Sequence, residues 1–136
     1  MKSINLFLLI LIFSIATLNA QENSLNNSTS IELKTSSGII YGTLLMPANI
    51  KSKIPVALII SGSGPTDRDG NNQMMKNNSL KQLAESIAMN GIASLRYDKR
   101  GIGESKQGAK SESDLSFEDY IQDATEQCLK MLYEQI

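Results

Sequence analysis

Histidine is absent from the chain, and with it the imidazole that most often takes the proton from a serine nucleophile. No Gly-x-Ser-x-Gly occurs either, so no serine lies in the strand-turn-helix elbow that exposes such a nucleophile. Cys128 is the only cysteine, which excludes a disulfide within the chain. Thirteen Lys and Arg against 14 Asp and Glu give a net charge of -1, and no dense cationic stripe is present to neutralise phosphates. A nucleic-acid partner is not expected. No Gly-Lys-[Ser/Thr] occurs, and Asp67 stands where a third glycine would follow Gly62-x-Gly64, so P-loop and dinucleotide readings fail. Asp67-Arg68-Asp69-Gly70-Asn71-Asn72 falls short of a calcium loop: its glycine comes two positions early and Asn78 replaces the bidentate glutamate. No cofactor and no metal are expected.

Long apolar runs are also missing. The longest, Leu6 to Leu18, falls short of the ~20 residues that span a bilayer. Lys2 before it and Asn19-Ala20-Gln21 after it complete the pattern of a secretory signal, removed after residue 20. Leu18 fits the third position before the cut poorly, which leaves an uncleaved anchor as the alternative. No stable membrane span is expected, and the chain is read as exported, periplasmic or extracellular. Residues 21–30, rich in Asn, Ser and Thr, read as a polar linker that buries too little surface to order itself.

What remains, residues 31–136, carries the periodicities of one α/β domain. Ile31–Lys34 and Ile39–Leu45 are rich in β-formers around Ser36-Ser37-Gly38, which predicts a hairpin, closed by Pro47. Pro55–Ile60 is a continuous apolar run followed by Ser61-Gly62-Ser63-Gly64-Pro65, the pattern of a strand buried on both faces. Ser79–Asn90 reads as a helix with a Ser79/Gln82 capping box, an apolar face of Leu80, Leu83, Ala84, Ile87 and Ala88, and Gly91 as its stop. Ile92–Tyr97 is then a second buried strand, and the unit from Val56 to Tyr97 is βαβ with parallel strands. A last helix, Phe117–Gln135, is capped by Ser116 and Asp119. Its expected inner face is Phe117, Ile121, Ala124, Cys128 and Met131, with Cys128 a small buried hydrophobe.

Between the last strand and the last helix stands Asp98-Lys99-Arg100-Gly101-Ile102-Gly103-Glu104-Ser105, a D-x-R-G-x-G-x-S string. With two glycine-rich loops at the carboxyl ends of parallel strands, this order of elements resembles the first half of the α/β-hydrolase fold. The stretch Ser61-Gly62-Ser63-Gly64-Pro65-Thr66-Asp67-Arg68-Asp69-Gly70-Asn71 is similar to the oxyanion loop of a group of exported bacterial esterases. The resemblance implies that the Ser63 N–H serves as an oxyanion donor, with Gly62 and Gly64 shaping the loop. Asp67, Arg68 and Asp69 would hold it. Asp98, Arg100, Gly101, Gly103 and Ser105 would form a structural turn, through an Asp98–Arg100 ion pair or a set of turn hydrogen bonds. Ser63 is not a nucleophile in this reading.

The same resemblance places the nucleophile, the acid and the histidine downstream of Ile136, as a truncated frame or a split gene would leave them. It also places Val56–Ile60 between the Ile92–Tyr97 strand and a strand not encoded here, so one apolar edge should be bare. The expected function is the N-terminal portion of an exported serine hydrolase cleaving small carboxylic esters through an acyl-enzyme, inactive as written. A peptidase or thioesterase of the same fold, or a non-catalytic fragment pairing with a complementing polypeptide, are the other readings.

Overall fold

The computed structural model describes residues 27–35, 38–108 and 115–134. The signal reading of residues 1–20, most of the linker, the Ser36-Ser37 turn and the last residues of the final helix lie outside them. The elements are strands β1 (Ser28–Thr35), β2 (Gly38–Leu45) and β3 (Val56–Ile59), helix α1 (Ser79–Met89), strand β4 (Ala93–Tyr97), a 3-10 turn (Gly103–Gly108) and helix α2 (Phe117–Glu134).

The four strands form one mixed sheet in the order β1-β2-β4-β3. β1 and β2 pair antiparallel from Ser28↔Leu45 to Thr35↔Gly38, β2 pairs antiparallel with β4, and β3 pairs parallel with β4 from Val56↔Ala93 to Ile59↔Arg96. An antiparallel hairpin joined to a parallel β3-α1-β4 unit, with the later strand inserted between, is the mixed α/β order of elements expected from the sequence. The linker ends earlier than its composition suggests: Ser28, Thr29 and Ser30 are already paired with Leu45, Leu44 and Thr43. Main-chain pairing needs no apolar side chain, and these three stay exposed.

Side chains alternate across the sheet, and each face takes one helix. Leu45 and Ile59 on one face pack with Ala84 and Ala88 of α1, flanked by Leu80 and Ile87. Leu83, the fifth member of the expected apolar stripe, lies at its rim and is half exposed. On the other face Ile40, Leu44, Leu95 and Tyr97 are buried, each large aliphatic side chain contributing about 1.5–3 kcal/mol. α2 lies there, close enough for Asp123 and Cys128 to act on the Tyr97 phenol.

Both helix starts are capped, but only one as expected. Ser116 and Asp119 form the reciprocal pair at α2: the Asp119 N–H donates to Ser116 Oγ, and the Ser116 N–H donates to Asp119 Oδ2 at 2.8 Å. At α1 the cap is Asn78, in the left-handed region at φ 53, rather than Ser79. The orphan N–H groups of Leu80 and Lys81 donate instead to the Asp69 carbonyl, and the Gln82 amide reaches Asn77 O. A preceding loop supplies the cap, which a local sequence pattern does not display.

Two burial expectations are corrected. β4 is buried along its whole length, but β3 is not buried on both faces: Val56 is 45% exposed. β3 is the outermost strand, and among the described residues nothing pairs with its far edge. The inner face of α2 is also rotated. Phe117 and Ile121 are exposed, Ala124, Cys128 and Met131 are half buried, and Asp123 and Gln127, one turn apart, point inward. The cause is a buried ion pair from Asp123 to Arg100, described below, which fixes the helix about its axis.

Two outcomes follow from this packing. The unsubstituted chain should self-associate with rising concentration in sedimentation velocity, and Val56→Lys, placing a charge on the bare strand, should weaken that association with no loss of helical circular dichroism. Burial foremost, then Asp123 and Cys128, push the Tyr97 phenol from 10.0 up to about 12. The folded state therefore holds this proton longer than the unfolded one. Its contribution, about 3 kcal/mol, is full below pH 10 and lost as pH rises to about 12. Chemical denaturation between pH 9 and 12 should show that decline, and Tyr97→Phe should flatten it.

Candidate active site

The segment from Ser61 to Asn72 leaves β3 at the sheet's carboxyl edge, where α/β folds place their ligands. Its shape is held by its own polar side chains. Ser61 is buried and donates from Oγ to Thr66 O at 3.0 Å. Asp67 Oδ1 accepts from the N–H groups of Asp69 and Asn71 at 2.9 and 2.8 Å, closing an Asx turn. Gly70 has φ +91, and a Cβ there would stand 2.4 Å from Ser79 Oγ, so only glycine lets the loop meet the start of α1. Asn71 and Asn78 exchange two hydrogen bonds across this junction, both at 2.9 Å.

The D-x-R-G-x-G-x-S string binds three separate parts of the fold. Asp98, 2% exposed, accepts from the Arg68 N–H at 2.7 Å through Oδ1 and from the Glu104 N–H at 2.9 Å through Oδ2. Arg68 also brings its guanidinium to Asp98 Oδ2, at 3.3 Å, and pairs with Glu104. Burial pushes the Asp98 carboxyl up, against the downward pull of these two N–H donors and of Arg68. Gly103, at φ +53, lies so close that a Cβ would sit 2.3 Å from Asp98 Oδ2. Arg100 forms a two-pronged bond with Asp123 of α2, Nε to Oδ2 at 2.8 Å and Nη2 to Oδ1 at 2.6 Å, which raises the guanidinium pKa further. Ser105, fully buried, accepts the Tyr41 N–H of β2 on its Oγ at 2.9 Å, and its carbonyl accepts the Gly101 N–H at 3.0 Å.

An Asp98–Arg100 ion pair is therefore not what forms. The two side chains leave the turn in different directions, Asp98 to the loop after β3 and Arg100 to α2, because each finds a buried partner there. The turn hydrogen bonds do form. Asp67, Arg68 and Asp69 all sit in the frame of the glycine-rich loop, with Asp69 pairing to the buried Arg96 at 3.1 Å.

Gly62, Ser63 and Gly64 stand exposed at the loop's tip, and among the described residues the Ser63 N–H has no hydrogen-bond acceptor. They form one lip of a cleft of about 780 Å³ whose apolar wall includes Ile60, Ile102, Phe117 and Ile121. Lys99 stands on the same cleft and donates from Nζ to the carbonyls of Gly62 and of Gly64, the latter at 3.0 Å. Sequence reasoning passed over Lys99. Its signal was there: a cation leaving one central strand, level with a glycine-rich loop leaving its parallel neighbour.

No family model matches the chain, and no curated protein does. Among solved structures the chain is similar to the α/β hydrolase GrgF from Penicillium sp. sh18, at 24% identity and TM-score 0.43 over 57% of this chain and 23% of that one. It is similar to a cold-adapted esterase from an Arctic intertidal metagenomic library, at 19% identity and TM-score 0.44 over 63% and 33%. It is also similar to XC6422 from Xanthomonas campestris, a serine hydrolase without a lid, at 22% identity and TM-score 0.42 over 59% and 35%. The chain thus spans about a quarter to a third of the length of these structures.

The Arg100–Asp123 bond can be tested by a mutant cycle. Asp123→Leu, which leaves a buried guanidinium without its carboxylate, should cost about 3–5 kcal/mol in urea denaturation. Arg100→Met combined with Asp123→Leu should recover most of that loss. A double variant as unstable as the single would show that the pair itself, rather than the orphaned charge, carries the stability.

Proposed function

We propose that the chain supplies the oxyanion-binding portion of a serine hydrolase that cleaves small carboxylic esters. The observation that carries this reading is the Ser63 N–H, held between two glycines at the carboxyl end of β3, unbonded, on the lip of an apolar cleft. When a serine oxygen adds to an ester carbonyl, negative charge grows on the carbonyl oxygen. A fixed N–H aimed at that position stabilises the transition state by about 3 kcal/mol. The apolar wall suits the acyl group, and collapse of the tetrahedral intermediate expels the alcohol and leaves an acyl-enzyme that water cleaves. The chain's own residues bind and orient; with no histidine it offers no imidazole base for the serine. The catalytic serine, acid and histidine come from residues these 136 do not supply, and the enzyme works outside the cytoplasm. An ester is favoured over a peptide because the Ser61–Asn71 loop resembles that of exported bacterial esterases.

The bare edge of β3, flanked by exposed Val56, Ile60, Phe117 and Ile121, supports a second reading. In it the chain is a non-catalytic half that adds a strand from a complementing polypeptide. Both readings meet in one experiment: the chain is assayed with p-nitrophenyl acetate alone, then joined to, or mixed with, the polypeptide encoded next in its source DNA. The hydrolase reading expects no turnover alone and turnover on joining, abolished by replacing the serine of a Gly-x-Ser-x-Gly in the added part. A stable complex without hydrolysis of any p-nitrophenyl ester supports the second reading and overturns the first.

A further inference from the structure

We infer that Lys99 is a positioning residue for the oxyanion-binding peptide, setting both the direction and the donor strength of the Ser63 N–H. The inference rests on the hydrolase reading above and adds a residue to it. The Gly62 carbonyl and the Ser63 N–H belong to the same peptide unit. That unit is planar and trans, as are all the described peptide bonds, so its C=O and N–H point in opposite directions. Lys99 Nζ bonds the Gly62 oxygen, and the Ser63 N–H is thereby turned to the opposite side of the loop. The same ammonium bonds the Gly64 oxygen at 3.0 Å, so the Gly62–Ser63 and Gly64–Pro65 peptide units are pinned at one point.

The pinning is needed because the loop offers little resistance of its own here. An added Cβ at Gly62 or Gly64 would meet nothing within 4 Å, and Gly64 already holds φ +86, so glycine freedom and open space leave the Gly62–Ser63 peptide able to rotate. A rotated peptide would present a carbonyl oxygen, not an N–H, to a developing oxyanion. The second effect is electronic. A cation on the carbonyl oxygen draws charge through the amide and makes the N–H at its other end a stronger donor, as in chains of polarised hydrogen bonds. Lys99 itself does not touch the reacting oxygen in this account.

The test compares Lys99→Met and Lys99→Arg with the unsubstituted chain in two measurements. In hydrogen exchange read by mass spectrometry on the full chain, Lys99→Met should speed exchange in the peptide covering residues 60–66 while that covering β4 stays protected, and Lys99→Arg should restore it. In the chain joined to its nucleophile-bearing segment, Lys99→Met should lower kcat between about 10- and 100-fold with KM within twofold, part of the ~10²–10³-fold effect of deleting an oxyanion donor outright. Lys99→Arg should recover most of that. An active joined enzyme whose kcat is unmoved by Lys99→Met overturns the inference alone, whatever the exchange result. Unchanged exchange at residues 60–66 also overturns it. A joined, unsubstituted protein that hydrolyses no ester overturns the hydrolase reading, and the inference with it.

Discussion

The buried carboxylate of Asp98 is the point through which the loop after β3 and the turn after β4 become one object. It takes one N–H from each, and it faces the guanidinium of Arg68. A carboxylate in that position costs desolvation free energy, seen in its raised pKa, and the cost is tolerable because two main-chain donors and a cation surround it. Removing any of them would leave a charge buried with fewer partners. The geometry of the glycine-rich tip therefore depends on a side chain that lies well beneath it.

Arg100 and Ser105 extend the same logic outward. One short string sends Asp98 to the loop, Arg100 to α2 and Ser105 to the β2 main chain, so that loop, helix and hairpin are referenced to a common turn. Glycine at position 103 makes this possible, since any Cβ there would collide with the Asp98 carboxylate. Lys99, lodged between two of these anchors, has little freedom in where its backbone lies, which explains how a long flexible side chain can hold two carbonyls at once.

The strands and helices were legible because their periodicities are local: Val56–Ile59, Ala93–Tyr97 and the α1 stripe announce themselves in a few residues. The parallel pair followed from strand, helix, strand in succession. What escaped notice involves partners far apart in the chain. Lys99 meets Gly62 across 37 positions, and Arg100 meets Asp123 across 23. The rotation of α2 is the sharpest case. An apolar stripe through Phe117 and Ile121 predicts one inner face, but a single buried ion pair outweighs it and turns Asp123 and Gln127 inward. The cap of α1 was missed for the same reason, since its acceptor, the Asp69 carbonyl, belongs to the loop before it.

The sheet order also bears on the sequence of events during synthesis. β4 joins the hairpin to β3, with β2 on one side and β3 on the other, yet it is the last of the four to be made. Until it emerges, the hairpin is an isolated two-stranded ribbon, marginal in water, and the apolar β3 has no neighbour at all. Closing the β2–β4 contact must then span the distance from Gly42 to Tyr97, a loop whose entropy is repaid only when both of β4's ladders form together. Assembly is consequently all or nothing around one five-residue strand. A nascent chain halted before residue 93 would carry a complete hairpin and still have no sheet in which to bury it.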